Sequence, residues 1–421
     1  MKRIREDPGP AREALARRGA AEQLDELLAL DTRRRELLPG LEKRRARRNQ
    51  ASDAIAEAKR AGDDAERAIA AMRELGGEIK QLEAELADAE QALEELAPLL
   101  PNIPDLDAPD GDSEEDAVAL REVGERPHFE FEPRDHLELA TALGLIDIEH
   151  AAEASGSRFA YLLGDLVLVE FALIRFALEL LAPDGFVPVV PPVLVREQTL
   201  VGTGFFPAER EMIYEVPKDE LFLVGTSEVS LAALHANEIL DPARLPLRYV
   251  GISTCFRREA GAAGKDTRGI FRVHQFDKVE MFTFCEPSES GAEHERLLGL
   301  QEKLLGALEI PYRVVDIPVG DLGAPAARKF DCEGWIPSQD RYRELTSTSN
   351  TTDYQARRSD IRYRPDPEGS PLHVHTANGT AVAIGRTLIA LIENRQQADG
   401  AVTMPPALVA AGAPAALRPL R

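Results

Sequence analysis

Arginine, glutamate and phenylalanine recur in one short stretch of this 421-residue chain in a pattern that suits a nucleotide. Thr254-Cys255-Phe256-Arg257-Arg258-Glu259 and Val273-His274-Gln275-Phe276-Asp277-Lys278-Val279-Glu280 read as two strands around a Gly- and charge-rich loop carrying Lys265 and Arg268. Arg257, Glu259, Phe276 and Glu280 occupy positions that can share one sheet face. A guanidinium gives a phosphate or carboxylate two parallel charge-assisted hydrogen bonds, and an aromatic ring beside it can stack a base. Downstream, Glu344-Leu345-Thr346-Ser347 offers hard oxygen ligands, and Asn378-Gly379-Thr380 precedes Arg386.

Such pieces need a sheet to converge, and three longer segments say which. The Arg257 stretch resembles motif 2 of the class II aminoacyl-tRNA synthetases, most closely that of the seryl-tRNA synthetases. Gly185-Phe186-Val187-Pro188-Val189-Val190-Pro191-Pro192-Val193-Leu194 is similar to motif 1, with Pro192 at the signature proline. Asn378 to Leu388 is similar to motif 3. The fold this implies is α+β, an antiparallel sheet flanked by helices behind an N-terminal helical hairpin. No GxGxxG or GxxxxGKT sequence competes with that reading.

The resemblance implies a serine–tRNA ligase that activates L-serine with ATP and passes it to tRNA(Ser), and to tRNA(Sec) where a cell has one. On the family pattern Arg257, Glu259 and Arg386 carry the chemistry. Arg257, Arg258, Glu259, Val273, Phe276, Glu344, Leu345, Thr346, Ser347 and Arg386 hold ATP, with Phe276 and Arg386 sandwiching the adenine. Thr226, Ser227, Glu228, Arg257, Glu280, Asn378 and Thr380 surround serine. Glu344 and Ser347 hold magnesium, and no zinc is expected. Arg44, Arg45, Arg47, Arg48, Lys265 and Arg268 are the expected tRNA contacts. A homodimer through motif 1 follows from the same likeness. Departures from the pattern are small: Gly225-Thr226-Ser227-Glu228 stands for Pro-Thr-Ala-Glu, Thr380 stands for a serine, and the Ala/Pro-rich tail after Gly400 is unusual. Such changes also suit a paralogue serving antibiotic biosynthesis or self-resistance, or an enzyme loading a carrier protein.

Away from the motifs, a net charge of −23 conceals a strongly divided arm. Residues 31–60 hold ten basic and five acidic side chains, and residues 61–100 hold eleven acidic and three basic. Met72, Leu75, Ile79, Leu82, Leu86, Ala89, Leu93 and Leu96 alternate spacings of three and four, the seam of a coiled coil. Leu30, Leu37, Leu41, Ala51, Ile55 and Ala58 continue it in the other half, and Ala61-Gly62-Asp63-Asp64 supplies a turn. Proline density at 98–104 and the acidic run 107–116 mark a linker, so the expected domains are a tRNA-binding arm over 1–105 and a catalytic domain over 106–421. Three cysteines without CxxC spacing, no signal-like N-terminus and no apolar run of membrane length point to the cytoplasm, away from membranes.

Overall fold

The computed structural model describes residues 2–62, 64–260, 266 and 268–419, except for the side chains of Lys2 and Arg3. It divides into two compact units, Met1–Ile103 and Pro104–Arg421.

The first unit is dominated by two long helices, α1 (Ala21–Ala61) and α2 (Glu66–Leu96). Leu41 packs with Leu75 and Ile79, and Leu82 and Leu86 flank them, so the heptad pattern in the sequence is the buried seam. Gly62 caps α1 with φ +82°, a left-handed turn that costs glycine nothing, and its N–H returns to Ala58 O and Lys59 O. Pro39 sits inside α1 without ending it. The divided charge is partly spent within the hairpin, where Arg44 meets Glu78 and Arg45 meets Glu83, each at 2.7 Å.

The second unit is built on an eight-stranded sheet. Its strands in chain order are β1 (Val118–Val123), β2 (Val187–Val189), β3 (Leu247–Phe256), β4 (Gln275–Cys285), β5 (Tyr312–Asp316), β6 (Arg328–Ile336), β7 (Arg341–Thr352) and β8 (His375–Ala383). They lie in the order β1-β5-β6-β7-β8-β4-β3-β2, antiparallel except for β2 against β3. Helices α3 (Asp165–Leu181), α4 (Ser290–Ala307) and α5 (Ile384–Asn394) share one apolar core with the sheet, including Leu173, Leu297, Leu388, Val279 and Ala381. Lys278 to Cys285 are buried throughout, the polar Lys278, Glu280 and Thr283 included. Pro188 is tolerated because β2 is a three-residue edge strand.

One expectation changes here. The acidic stretch after the hinge is not a loose linker: Ala108 is buried with Val315, Ile317 and Val319, while Val319 N–H bonds Pro109 O and Gly320 N–H bonds Gly111 O. Composition emphasised its charges, yet those are exposed while the backbone is pinned to the turn Val319–Asp321 that follows β5. The unusual C-terminal tail is equally integrated. Val402–Thr403 pairs with Ala416–Leu417, and Val402, Leu408 and Leu417 are buried in the main core.

Candidate active site

The sheet's central strands bring the chemistry-bearing residues to one cleft of about 580 Å³, lined by Arg257, Glu259, Phe276, Lys278, Glu344 and Arg386 among others. Arg257 and Glu259 lie beyond the end of β3, not on its face as the sequence suggests, because the strand stops at Phe256 and Glu259 adopts φ +50°. Tertiary contacts replace strand geometry in placing them. Arg257 N–H bonds His274 O, His274 Nδ1 lies 2.9 Å from Arg257 O, and Arg257 Nε donates to Gly225 O at 3.1 Å. Its guanidinium then lies 5.3 Å from the Phe276 ring centre.

Across the cleft Arg386, at the start of α5, donates to Glu344 O at 3.0 Å and pairs with Glu344 Oε1 at 3.1 Å. The Arg386 guanidinium holds the Glu344 carboxyl well below the usual carboxylate range against the opposing effect of burial. Arg386 also covers the Phe271 ring at 4.9 Å, and Arg343 covers it at 3.9 Å. Phe271, Arg272 and Lys278 are lining residues the sequence reading missed. Arg272 pairs with Glu259 at 2.7 Å. The interrupted loop between β3 and β4 hid Phe271 and Arg272, because nothing periodic marks that segment.

A second group gathers where β3, β4 and β8 adjoin. Glu280 stands opposite Thr380, whose hydroxyl donates to Glu280 Oε2 at 3.2 Å. Lys278 Nζ lies 2.5 Å from Glu280 and donates to Thr226 Oγ1 at 2.7 Å. Lys278 and Glu280 lie two residues apart on one strand, so alternation puts them on the same face, a signal the sequence offered. Glu228 Oε1 accepts from Gln355 Nε2 at 2.7 Å and from Asn378 Nδ2 at 2.9 Å. Burial, then the nearby Glu280, pushes the Glu228 carboxyl up to about 7. The buried Ser227 hydroxyl has no hydrogen-bond partner among the described residues.

Other expected residues fall around these two groups. Leu345 and Val273 line the cleft, while Arg258 does not and faces Tyr214 at 5.8 Å. Thr346 and Ser347 follow on β7 outside the lining set, and Gln301 Nε2 ties Ser347 O to Thr380 O at 2.8 and 2.9 Å. Asp331 lies opposite Ser347 on β6, buried, and its Oδ1 has no hydrogen-bond partner among the described residues. Arg343 clamps Asp266 through two contacts, at 3.0 and 2.5 Å. Arg268 meets Asp135 and Glu138, both at 3.0 Å. Lys265 lies outside the described residues.

Comparison with known proteins gives the family. The family model of the seryl-tRNA synthetase N-terminal domain matches residues 1–104, and that of the class II core domain of tRNA synthetases (G, H, P, S and T) matches 212–395. A serine–tRNA ligase of Acidothermus cellulolyticus is 53% identical over 97% of this chain and 96% of its own length, and one of Thermobifida fusca is 48% identical over the same shares. The crystal structure of seryl-tRNA synthetase from Pyrococcus horikoshii complexed with ATP superposes with TM-score 0.92 at 41% identity, covering 100% of this chain and 99% of that one.

Proposed function

Because this chain belongs to the seryl-tRNA synthetase family, we propose that its cleft joins L-serine to ATP as seryl-adenylate and then passes the seryl group to the terminal hydroxyl of tRNA(Ser). In the first step a serine carboxylate oxygen attacks the α-phosphorus and pyrophosphate leaves. In the second the tRNA hydroxyl attacks the acyl carbon and AMP leaves. Neither step needs an enzymic nucleophile, so the protein's work is positioning and neutralising phosphate charge.

The observation that carries this reading is the placement of a cationic cleft, with Arg257 over Phe276 and Arg386 over Phe271, together with the acidic pocket of Glu228, Glu280 and Thr380. Arg257 stands where the two reactants meet, suited to the α-phosphate and the serine carboxylate. Phe276 and Arg386 offer the adenine two faces. Glu228 suits the serine ammonium group, and Glu280 with Thr380 suits its hydroxyl. An analogue lacking that hydroxyl leaves these groups unpaired, which can cost on the order of 10⁴-fold in discrimination.

A magnesium ion fits beside Glu344 and Ser347: Glu344 is held charged, and the orphaned Asp331 Oδ1 opposite Ser347 is a further hard oxygen. Bound there with nucleotide phosphates, magnesium would supply charge neutralisation of the leaving pyrophosphate. Among the described residues no cluster of three His, Cys, Asp or Glu side chains is placed to hold a metal ion.

The first unit, on this reading, grips tRNA. Arg44 and Arg45 are engaged with α2, while Arg47 and Arg48 are exposed and meet no carboxylate among the described residues, which makes them the better phosphate contacts. The second unit pairs with a second copy through motif 1 and the preceding helix α3, where Val187 and Val190 of the one and Leu168 and Phe171 of the other are exposed, Val190 at 82%. The three cysteines are free and buried, which suits the cytoplasm, and no helix among the described residues is long and apolar enough to cross a membrane.

The deciding experiment is ATP–pyrophosphate exchange with each standard amino acid, followed by charging of tRNA(Ser) and tRNA(Sec) transcripts. Serine-dependent exchange with charging of tRNA(Ser) is expected. Exchange without charging of either tRNA would overturn the assignment of the second step.

A further inference from the structure

Behind the serine pocket lies a buried polar relay that none of the family motifs contains. After β7 the chain turns at Thr352, with φ +47°, into a short helix, Tyr354–Arg358, that presents Gln355 to the interior. Gln355 is fully buried, as are Thr351 and Thr376. Its carboxamide is engaged at both ends. Nε2 donates to Glu228 Oε1 at 2.7 Å and to Thr203 O at 3.3 Å, while Oε1 accepts from the Thr376 hydroxyl at 3.1 Å. Thr376 is held in turn by Thr351, with the two hydroxyl oxygens 2.5 Å apart.

Gln355 and Asn378 therefore both donate to the same carboxylate oxygen, Glu228 Oε1, and Oε2 accepts no hydrogen bond from the described residues. A carboxylate clamped through one oxygen keeps the other for a ligand. The Thr376 hydroxyl on Oε1 opposes an amide flip, which would turn the Gln355 oxygen onto the carboxylate.

We propose that Gln355 is a positioning residue for serine selection, holding Glu228 so that its free oxygen meets the substrate ammonium group. The inference rests on the assignment of Glu228 to serine given above and adds the group that orients it. Gln355 acts on the proton as well as on the rotamer. Hydrogen bonds to a carboxylate favour its charged form, and those from Gln355 oppose the burial and the Glu280 charge that work against ionisation. The charged groups facing Glu228 are Glu280 and Lys278 from β4 and Glu209 from the segment before β3.

The test is serine-dependent ATP–pyrophosphate exchange by the full-length protein and its Gln355→Leu and Gln355→Glu variants, at several pH values around neutrality. Gln355→Leu is expected to raise the serine KM about tenfold at neutral pH, the loss of one hydrogen bond to a charged group, with the ATP KM within about twofold. The pH at which serine KM improves should move upward, because the carboxylate has lost a donor. Gln355→Glu should be worse still at high pH, where two carboxylates face each other. Thr376→Val, which releases only the far end of the amide, should give the same pattern more weakly and keeps the question answerable if the Gln355 variants fail to fold. An unmoved pH profile, or equal rises in both KM values, would overturn the proposal by reducing Gln355 to packing. Glu228→Gln separates the two layers. If it raises serine KM while the Gln355 and Thr376 variants do not, the relay is wrong and the pocket stands. If it changes nothing, the assignment of Glu228 itself fails and the relay with it.

Discussion

Arg386 shows how one side chain can serve two neighbours: it pairs with Glu344 and covers Phe271 while facing the cleft. Arg257→Ala and Arg386→Ala should each slow adenylate formation about a hundredfold, roughly 3 kcal/mol of lost charge stabilisation, in protein whose unfolding is unchanged. Near-normal exchange in both folded variants would contradict their placement at the phosphates. Glu228 gives a pH expectation. Its carboxyl is raised to about 7, so it is protonated below that pH and ionised above. An ammonium ligand binds the ionised form, so serine KM should fall as pH rises through about 7, by up to about tenfold per unit on the acid side. Steady-state kinetics against pH check this, and Glu228→Gln should flatten the profile.

At the scale of elements, the site depends on short connections more than on long strands. The helix Tyr354–Arg358 is seated against Gly204, where an added Cβ would lie 2.6 Å from Tyr354 Cε1 and where φ is +87°. Gly204→Ala combines backbone strain of about 1–3 kcal/mol with a push on the helix that carries Gln355. The expected outcome is a melting temperature lower by about 2–4 °C together with a raised serine KM, measured by calorimetry and exchange. An unchanged serine KM would show that this helix tolerates displacement without disturbing Glu228.

For the molecule as a whole, charge on the first unit and apolar surface on the second decide what each can bind. Arg47→Ala with Arg48→Ala should weaken tRNA binding and lower the slope of its salt dependence by about two, one per lost phosphate contact. Arg44→Ala with Arg45→Ala should change the slope less, since exposed ion pairs to Glu78 and Glu83 already occupy those side chains and contribute only about 0–1 kcal/mol each. Binding isotherms at several salt concentrations distinguish the pairs. Light scattering should report twice the chain mass, and Phe171→Glu should shift it toward the monomer because a charge would be placed on the exposed apolar face of α3 that leads into motif 1. A fully active monomer would remove the dimer from the mechanism.

The sequence alone determined the hairpin, since the seam from Met72 to Leu96 needs only local periodicity to be read, and the family likeness pointed to the sheet and nominated the residues proposed for its site. It also placed Glu280 beside Thr380 in function, although their pairing across β4 and β8 is visible only when strands 100 residues apart are set in register. Tertiary structure decided the rest. Arg257 and Glu259 leave the strand and are held by His274, Gly225 and Arg272, contacts that no spacing encodes. The acidic segment after the hinge reads as a linker by composition, and the Ala/Pro-rich tail departs from the family's usual ending, yet a few buried residues, Ala108 in one and Leu408 and Leu417 in the other, pack them against the second unit. Gln355 carries no signal of its own. A buried amide acquires its meaning only from the partners that satisfy it, and those partners, Thr203, Glu228 and Thr376, come from three separate parts of the chain.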